Sequence, residues 1–140
     1  MLKGIPSILS PELLKILMEM GHGDEIIIAD GNFPAASHAQ RLVRCDGHGV
    51  PEVLEAVLKL LPLDQYVEKP VALMDVVPGD TVVPIWEEYK AEIAKYGNVE
   101  IEFMERFAFY ERAKKAYAIV ATGESAQYAN VILKKGVVKE

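Results

Sequence analysis

The sequence has little cysteine, no cluster of positive charge and no long uncharged apolar run, and each shortage excludes a class of protein. Cys45 is the single cysteine among 140 residues, so an intrachain disulfide or a site of several thiolates cannot form within one chain. The net charge is −6 at pH 7, with Lys and Arg scattered, which disfavours nucleic acid as a partner. No segment approaches the roughly 18 uncharged apolar residues of a membrane span, so we expect no membrane partner.

The first twenty residues also lack the features of a secretion signal. Lys15 and Glu19 interrupt their apolar stretch, and no basic segment with a small-residue cleavage site precedes it. This absence and the single cysteine predict a cytoplasmic protein. Apolar residues make up 51% of the chain, enough for one hydrophobic core, so we expect a single domain over residues 1–140.

Apolar spacing and turn residues predict helices that alternate with strands. Ser10 and Pro11 are suited to the start of a helix that ends before Gly21, and the apolar run Glu25–Ala29 indicates a strand covered on both faces. Helices are also expected at about 51–61, 84–96 and 107–114, and strands at about 71–77, 99–103, 117–121 and 130–134. This alternation predicts an α/β fold in which helices flank one mixed sheet.

Two of these segments carry more specific expectations. Apolar residues alternate with Glu100 and Glu102 in the strand at 99–103, which predicts one wet face and a place near a sheet edge. Phe107 and Phe109 lie in an aromatic cluster, and we expect both in the core.

Two polar clusters bracket the strand Glu25–Ala29. His22 lies between two glycines, and because an unperturbed imidazole titrates near neutrality, it is the best candidate for proton transfer. Asp30 follows the strand and could hold an imidazole in one tautomer or bind a sugar hydroxyl. The alternatives are a helix-capping role for His22 and a turn role for Asp30.

A second polar group surrounds the strand predicted at 117–121. Arg106 precedes it, and Tyr128 and Asn130 follow it. A guanidinium, a phenol and an amide together supply donors and acceptors that match a polyol. The alternative is that Arg106 is a surface charge and that 128–130 is a loop that leads into a strand.

Metal and nucleotide sites are poorly supported. The three histidines, His22, His38 and His48, fit no compact ligand motif. The glycines around His22 follow a predicted helix rather than a strand, and a third glycine at dinucleotide-loop spacing is absent. We therefore expect no metal.

Three motifs in the same order resemble the family of ribose pyranases and fucose mutarotases, and the resemblance covers essentially the whole chain. They are GHGDEIIIADGNFP (21–34), RFAFYERA (106–113) and TGESAQYANVILKKGV (122–137). The resemblance implies that His22 is the proton donor and that Asp30, Arg106, Tyr128, Ala129 and Asn130 bind the sugar. It also implies a ring-shaped homo-oligomer, commonly a decamer, with sites at subunit boundaries.

Arg106 stands where the pyranases have histidine, so the resemblance implies L-fucose rather than D-ribose as the substrate. The reaction would open the hemiacetal ring and close it on the other face of the carbonyl. General acid/base catalysis suffices for that step, so no cofactor is expected, and Tyr128 is a weaker candidate for the complementary base. The alternatives are a D-ribose pyranase, a non-catalytic monosaccharide-binding module and a purely structural subunit.

Overall fold

The computed structural model describes residues 1–81 and 83–140 and contains six strands and, over those residues, five helices. The strands are β1 (Glu25–Ala29), β2 (Leu42–Cys45), β3 (Val71–Met74), β4 (Ile101–Met104), β5 (Ala118–Thr122) and β6 (Val131–Lys134). The helices are α1 (Pro11–Glu19), α2 (Ala35–His38), α3 (Val50–Leu58), α4 (Ile85–Ala94) and α5 (Arg106–Lys115). None of the helices in these described ranges is long and apolar enough to cross a membrane.

The strands form one mixed sheet in the order β2-β5-β1-β6-β3-β4. β1 and β2 both pair in parallel with β5, β3 pairs in parallel with β4, and β6 runs antiparallel to β1 and β3. The predicted mixed α/β sheet is therefore confirmed, as is the edge position of β4. Because only β6 is reversed, the carboxyl ends of the other strands and the start of β6 lie at the same end of the sheet.

Apolar side chains cover both faces of the central strand. Ile26 and Ile28 pack into a core with helices α1, α3 and α4, whereas Ile27 and Ala29 face a second core that includes residues of α2 and α5. Burying one isoleucine side chain stabilises the fold by about 1.5–3 kcal/mol. Double coverage explains why β1 has no polar alternation, as its sequence predicts.

The first helix begins as its sequence predicts. The Ser10 hydroxyl accepts a hydrogen bond from the Leu13 N–H at 3.1 Å, and Pro11 occupies the first turn, where no N–H is needed. The other predicted helices and strands are present with shifts of at most three residues at their ends; the strand predicted at 71–77 ends at Met74, and the helix predicted at 51–61 ends at Leu58. The short elements α2 and β2 are absent from the sequence prediction.

Two expectations about aromatic and acidic positions are wrong. Phe109 is fully buried but Phe107 is 61% exposed, because positions two apart on an α-helix point about 200° apart and only one can face the sheet. In β4, the expected alternation of exposure is not observed: the apolar Phe103 is 42% exposed, whereas Glu102, whose side chain is 38% exposed, accepts a hydrogen bond from Arg112 of α5 at 2.9 Å. Phe103, on the other face, packs against Trp86 with 5.2 Å between ring centroids.

Candidate active site

A cavity of about 210 Å³ opens at the end of the sheet where the parallel strands terminate. Asp30 follows β1, Met74 ends β3, Arg106 begins α5, and Asn130 precedes β6, so four different elements deliver one residue each. The crevice beyond the carboxyl ends of strands is the usual ligand site of open α/β sheets. The full lining is Asp30, Asn32, Phe33, Met74, Arg106, Tyr110, Gln127, Tyr128 and Asn130.

Asp30 is held in place at the base of this cavity by backbone and amide groups. Its N–H donates to Asn130 Oδ1 at 2.8 Å, and its carboxylate accepts from the N–H of Asn32 at 3.0 Å and of Ala129 at 3.3 Å. Burial raises the pKa of Asp30 above its ordinary value, although these backbone hydrogen bonds oppose the rise. The carboxylate is thus a rigid acceptor beside the cavity.

Tyr128 lines the same cavity from the loop before β6. Its hydroxyl donates to Asp80 Oδ2 at 2.7 Å, and this hydrogen bond raises the pKa of the phenol. Ala129 lies fully buried behind the cavity, and its two backbone groups bond Asp30 and the Tyr89 hydroxyl. The sequence places Tyr128 in the site but contains no signal for Asp80, which lies 48 residues away.

Arg106 and a group of apolar side chains complete the lining. The Arg106 guanidinium lies 4.6 Å from the centre of the Phe107 ring, and within the described residues no acidic group pairs with it. Phe33 and Tyr110 meet edge to face at 5.5 Å between centroids, next to Met74 in the lining. The cavity therefore has hydrogen-bonding groups and an apolar wall.

His22 lies beyond the opposite end of β1. Its Nε2 is 3.0 Å from Asp64 Oδ1, and its ring lies 5.4 Å from the ring of Tyr66. The imidazole therefore contacts Asp64 rather than Asp30, and among the described residues it makes no hydrogen bond to a carbonyl at the end of α1. The sequence alone does not indicate Asp64 as its partner, because 42 residues separate the two.

Asp64 is buried, whereas the His22 side chain is 45% exposed. Burial raises the pKa of Asp64, but hydrogen bonds from the Tyr66 N–H and the His22 imidazole outweigh it, and the pKa lies below its ordinary value. The carboxylate thus stays ionised and orients an accessible imidazole.

One chain brings together Asp30, Arg106, Tyr128 and Asn130 but not His22. The five residues of β1 separate the two groups, a span of about 16 Å at the usual rise of a strand. A monosaccharide in the cavity is out of reach of the same chain's imidazole.

The other histidines have local partners. His38 lies 2.9 Å from the Ser37 hydroxyl, and His48 Nδ1 lies 3.3 Å from Glu52. Over residues 1–81 and 83–140, no group of three or more His, Cys, Asp or Glu side chains is arranged to hold a metal ion.

Comparison with known proteins agrees with this fold. Residues 3–138 match the model of the RbsD / FucU transport protein family. A fucose mutarotase of Homo sapiens is 57% identical, covering 97% of this chain and 94% of that protein. The crystal structure of the fucose mutarotase from Streptococcus pneumoniae in complex with L-fucose has a TM-score of 0.96 and 56% identity, covering 99% of this chain and 100% of that one.

A more distant structure has the same fold. Bacillus subtilis RbsD complexed with D-ribose has a TM-score of 0.76 and 25% identity, covering 94% of this chain and 95% of that one. The family match spans nearly the whole sequence, and the relatives are matched over nearly their whole length. The chain belongs to the RbsD / FucU family.

Proposed function

We propose that this protein is an L-fucose mutarotase, an isomerase that interconverts the α and β anomers of the free sugar. The observation that carries the proposal is the cavity formed by Asp30, Arg106, Tyr128 and Asn130, in a chain 56% identical to a fucose mutarotase solved with L-fucose. The proposed unit is one mutarotase domain over residues 1–140, acting in the cytoplasm.

The cavity supplies both kinds of contact that a deoxy sugar requires. Asp30 accepts hydrogen bonds from sugar hydroxyls, and Arg106 donates to hydroxyl oxygens through its fixed fork of N–H groups. The amide nitrogen of Asn130 adds a donor, since its Oδ1 already accepts from Asp30. Ala129 contributes through its backbone, by fixing the Asp30 carboxylate.

The apolar wall favours fucose over ribose. L-Fucose carries a methyl group on its ring, and the pyranose form of D-ribose has no exocyclic carbon. Phe33, Met74 and Tyr110 give that methyl group an apolar neighbourhood that ribose does not use. The apolar side chains and Arg106 therefore support the same substrate.

Mutarotation needs one proton delivered to the ring oxygen and one removed from the anomeric hydroxyl. His22 is the proton donor in this proposal, with Asp64 fixing its orientation. Tyr128 takes the anomeric proton as its own hydroxyl proton passes to Asp80, to which it already donates. Proton transfer of this kind requires no metal or organic cofactor.

The separation of His22 from the cavity supports an assembly of several copies. If both groups act on one sugar, the imidazole must come from a neighbouring copy, packed so that the amino end of its β1, where His22 lies, meets this cavity. A contact between two different surfaces, repeated around a rotation axis, closes into a ring. We therefore propose a ring-shaped homo-oligomer, a decamer by family resemblance, with its sites at subunit boundaries.

Saturation-transfer NMR on free sugars tests the function. The wild-type protein is expected to accelerate exchange between the anomer signals of L-fucose, and to accelerate the corresponding exchange of D-ribose less. Equal or reversed acceleration would indicate a D-ribose pyranase. Binding of L-fucose without faster exchange would instead support a non-catalytic sugar-binding module.

A further inference from the structure

Two buried aromatic side chains of α4 donate hydrogen bonds to consecutive carbonyls of the loop that carries Tyr128. Trp86 Nε1 donates to the Tyr128 carbonyl at 2.8 Å, and the Tyr89 hydroxyl donates to the Ala129 carbonyl at 2.7 Å. The donors are three residues apart and so lie on one side of the helix. Trp86 is 4% exposed and Tyr89 is fully buried, so water does not compete for either bond.

The residue between the cavity and these donors has a strained backbone. Among the described residues, Tyr128 is the one non-glycine residue with a positive φ, at 54°. A bulky side chain seldom adopts this left-handed conformation, because its Cβ approaches the following carbonyl oxygen. Such a conformation persists only where surrounding contacts enforce it.

We propose that Trp86 and Tyr89 are positioning residues that hold the Tyr128 hydroxyl in reach of both the sugar and Asp80. The inference rests on the proposed function, which gives Tyr128 its task in proton transfer. With both carbonyls fixed on α4, the peptide units on the carboxyl side of Tyr128 and of Ala129 cannot rotate freely. The Tyr128 ring therefore faces the cavity from a backbone that would otherwise relax.

The sheet does not provide these contacts itself. The ladder of β6 begins at Val131, after both carbonyls, and the N–H of Ala129 is already bonded to Asp30. Burial raises the pKa of Tyr89, as do the charges of Glu124, Asp30 and Glu88, so its hydroxyl stays protonated and remains a donor. The two α4 donors thus connect the packed helix to the loop that lines the cavity.

Removing one donor while keeping its ring tests the inference. Tyr89→Phe deletes only the hydroxyl, and Trp86→Phe deletes the indole N–H but keeps an aromatic ring against Phe103. Tyr96→Phe is the matched control, since Tyr96 is a half-exposed tyrosine just beyond the same helix. At saturating L-fucose, we expect each donor variant to exchange anomers about 5- to 30-fold more slowly, as expected when one buried hydrogen bond holds the active conformer.

A double-mutant cycle separates positioning from general damage. If the donors act through Tyr128, Tyr89→Phe should cause no further loss of exchange rate or of L-fucose affinity in a Tyr128→Phe background. The same fold-loss in both backgrounds, or wild-type rates in both donor variants, would overturn the inference.

A readout independent of activity distinguishes this failure from failure of the proposed function. The backbone and Cβ carbon shifts of Tyr128 should move away from left-handed values in Tyr89→Phe and Trp86→Phe, and stay fixed in Tyr96→Phe. Unchanged Tyr128 shifts in the donor variants would refute positioning, whether or not the wild-type protein exchanges anomers. A wild-type protein that leaves anomer exchange unaccelerated would refute the function alone.

Discussion

The pairing of His22 with Asp64 leads to a prediction about how far each side chain contributes to the reaction. Asp64→Asn removes the charge but keeps an oxygen that can still accept the Tyr66 N–H, so the local turn should survive. Hydrogen bonds to charged groups contribute about 1.5–3 kcal/mol. Because the His22 side chain is 45% exposed, solvent screening favours the lower end of that range.

A loss of about 1.5 kcal/mol corresponds to roughly a tenfold lower rate. His22→Gln removes the proton donor itself, and a lost acid/base group costs about 10²- to 10⁴-fold. His48→Gln is a matched control, because its side chain is 44% exposed and also faces a carboxylate, that of Glu52. We expect the rate of L-fucose anomer exchange to fall in the order wild type, His48→Gln, Asp64→Asn, His22→Gln, with nearly equal rates for the first two.

The assay is L-fucose anomer exchange at saturating sugar, with thermal unfolding measured on each variant. An Asp64→Asn variant as active as His48→Gln would show that Asp64 does not orient the imidazole. Wild-type exchange by a folded His22→Gln variant would refute the proton-donor role. If the His22 variant instead unfolds, the contacts of the imidazole with Asp64 and Tyr66 serve the fold rather than the reaction.

Three further outcomes are expected. Arg106→Ala should weaken L-fucose binding, measured by calorimetry, by about 5- to 30-fold, with a smaller effect on the exchange rate at saturating sugar. Arg106→Lys should recover binding only in part. Unchanged affinity in Arg106→Ala would contradict the binding role of this residue. Exchange should survive exhaustive chelation, and activity restored by one specific metal after chelation would reveal a missed site. Because the folded-state pKa of Asp64 lies below its ordinary value of 3.8, its stabilisation is present above that pH and is lost as pH falls through the folded value. Asp64→Asn should therefore destabilise the fold at neutral pH but progressively less in acid. A difference in denaturation midpoint between wild type and variant that does not shrink as pH falls would contradict that sign.

The local elements were largely predictable because their signals are local. The Ser10 cap, Pro11 and the unbroken apolar run of β1 each leave a mark in neighbouring residues. α2 and β2 are four residues each, too short for a periodic pattern to stand out. The aromatic composition of α5 does not predict that Phe107 is exposed, since only the helical phase decides which of two nearby phenylalanines is buried.

The sequence predicts only part of the cavity lining and none of its geometry, since Phe33, Met74 and Tyr110 were not predicted and His22 lies elsewhere. Sequence motifs indicate Asp30, Arg106 and Tyr128 because those residues lie at strand and helix ends. Their convergence depends on strand order, which no local pattern encodes. Asp64 and Asp80 could not be identified, because each meets its partner across more than forty residues of chain through the packing of separate loops.

In the proposed reaction, a sugar is isomerised between a cavity on one copy and a histidine on another. Co-expressed chains carrying His22→Gln or Tyr128→Phe test it directly, since each variant alone lacks one half of every site. In randomly mixed assemblies, about one quarter of the boundaries would join an intact His22 to an intact Tyr128, and L-fucose exchange should return to about that fraction of the wild-type rate. A mixture no more active than the average of the two separate variants would contradict the shared site.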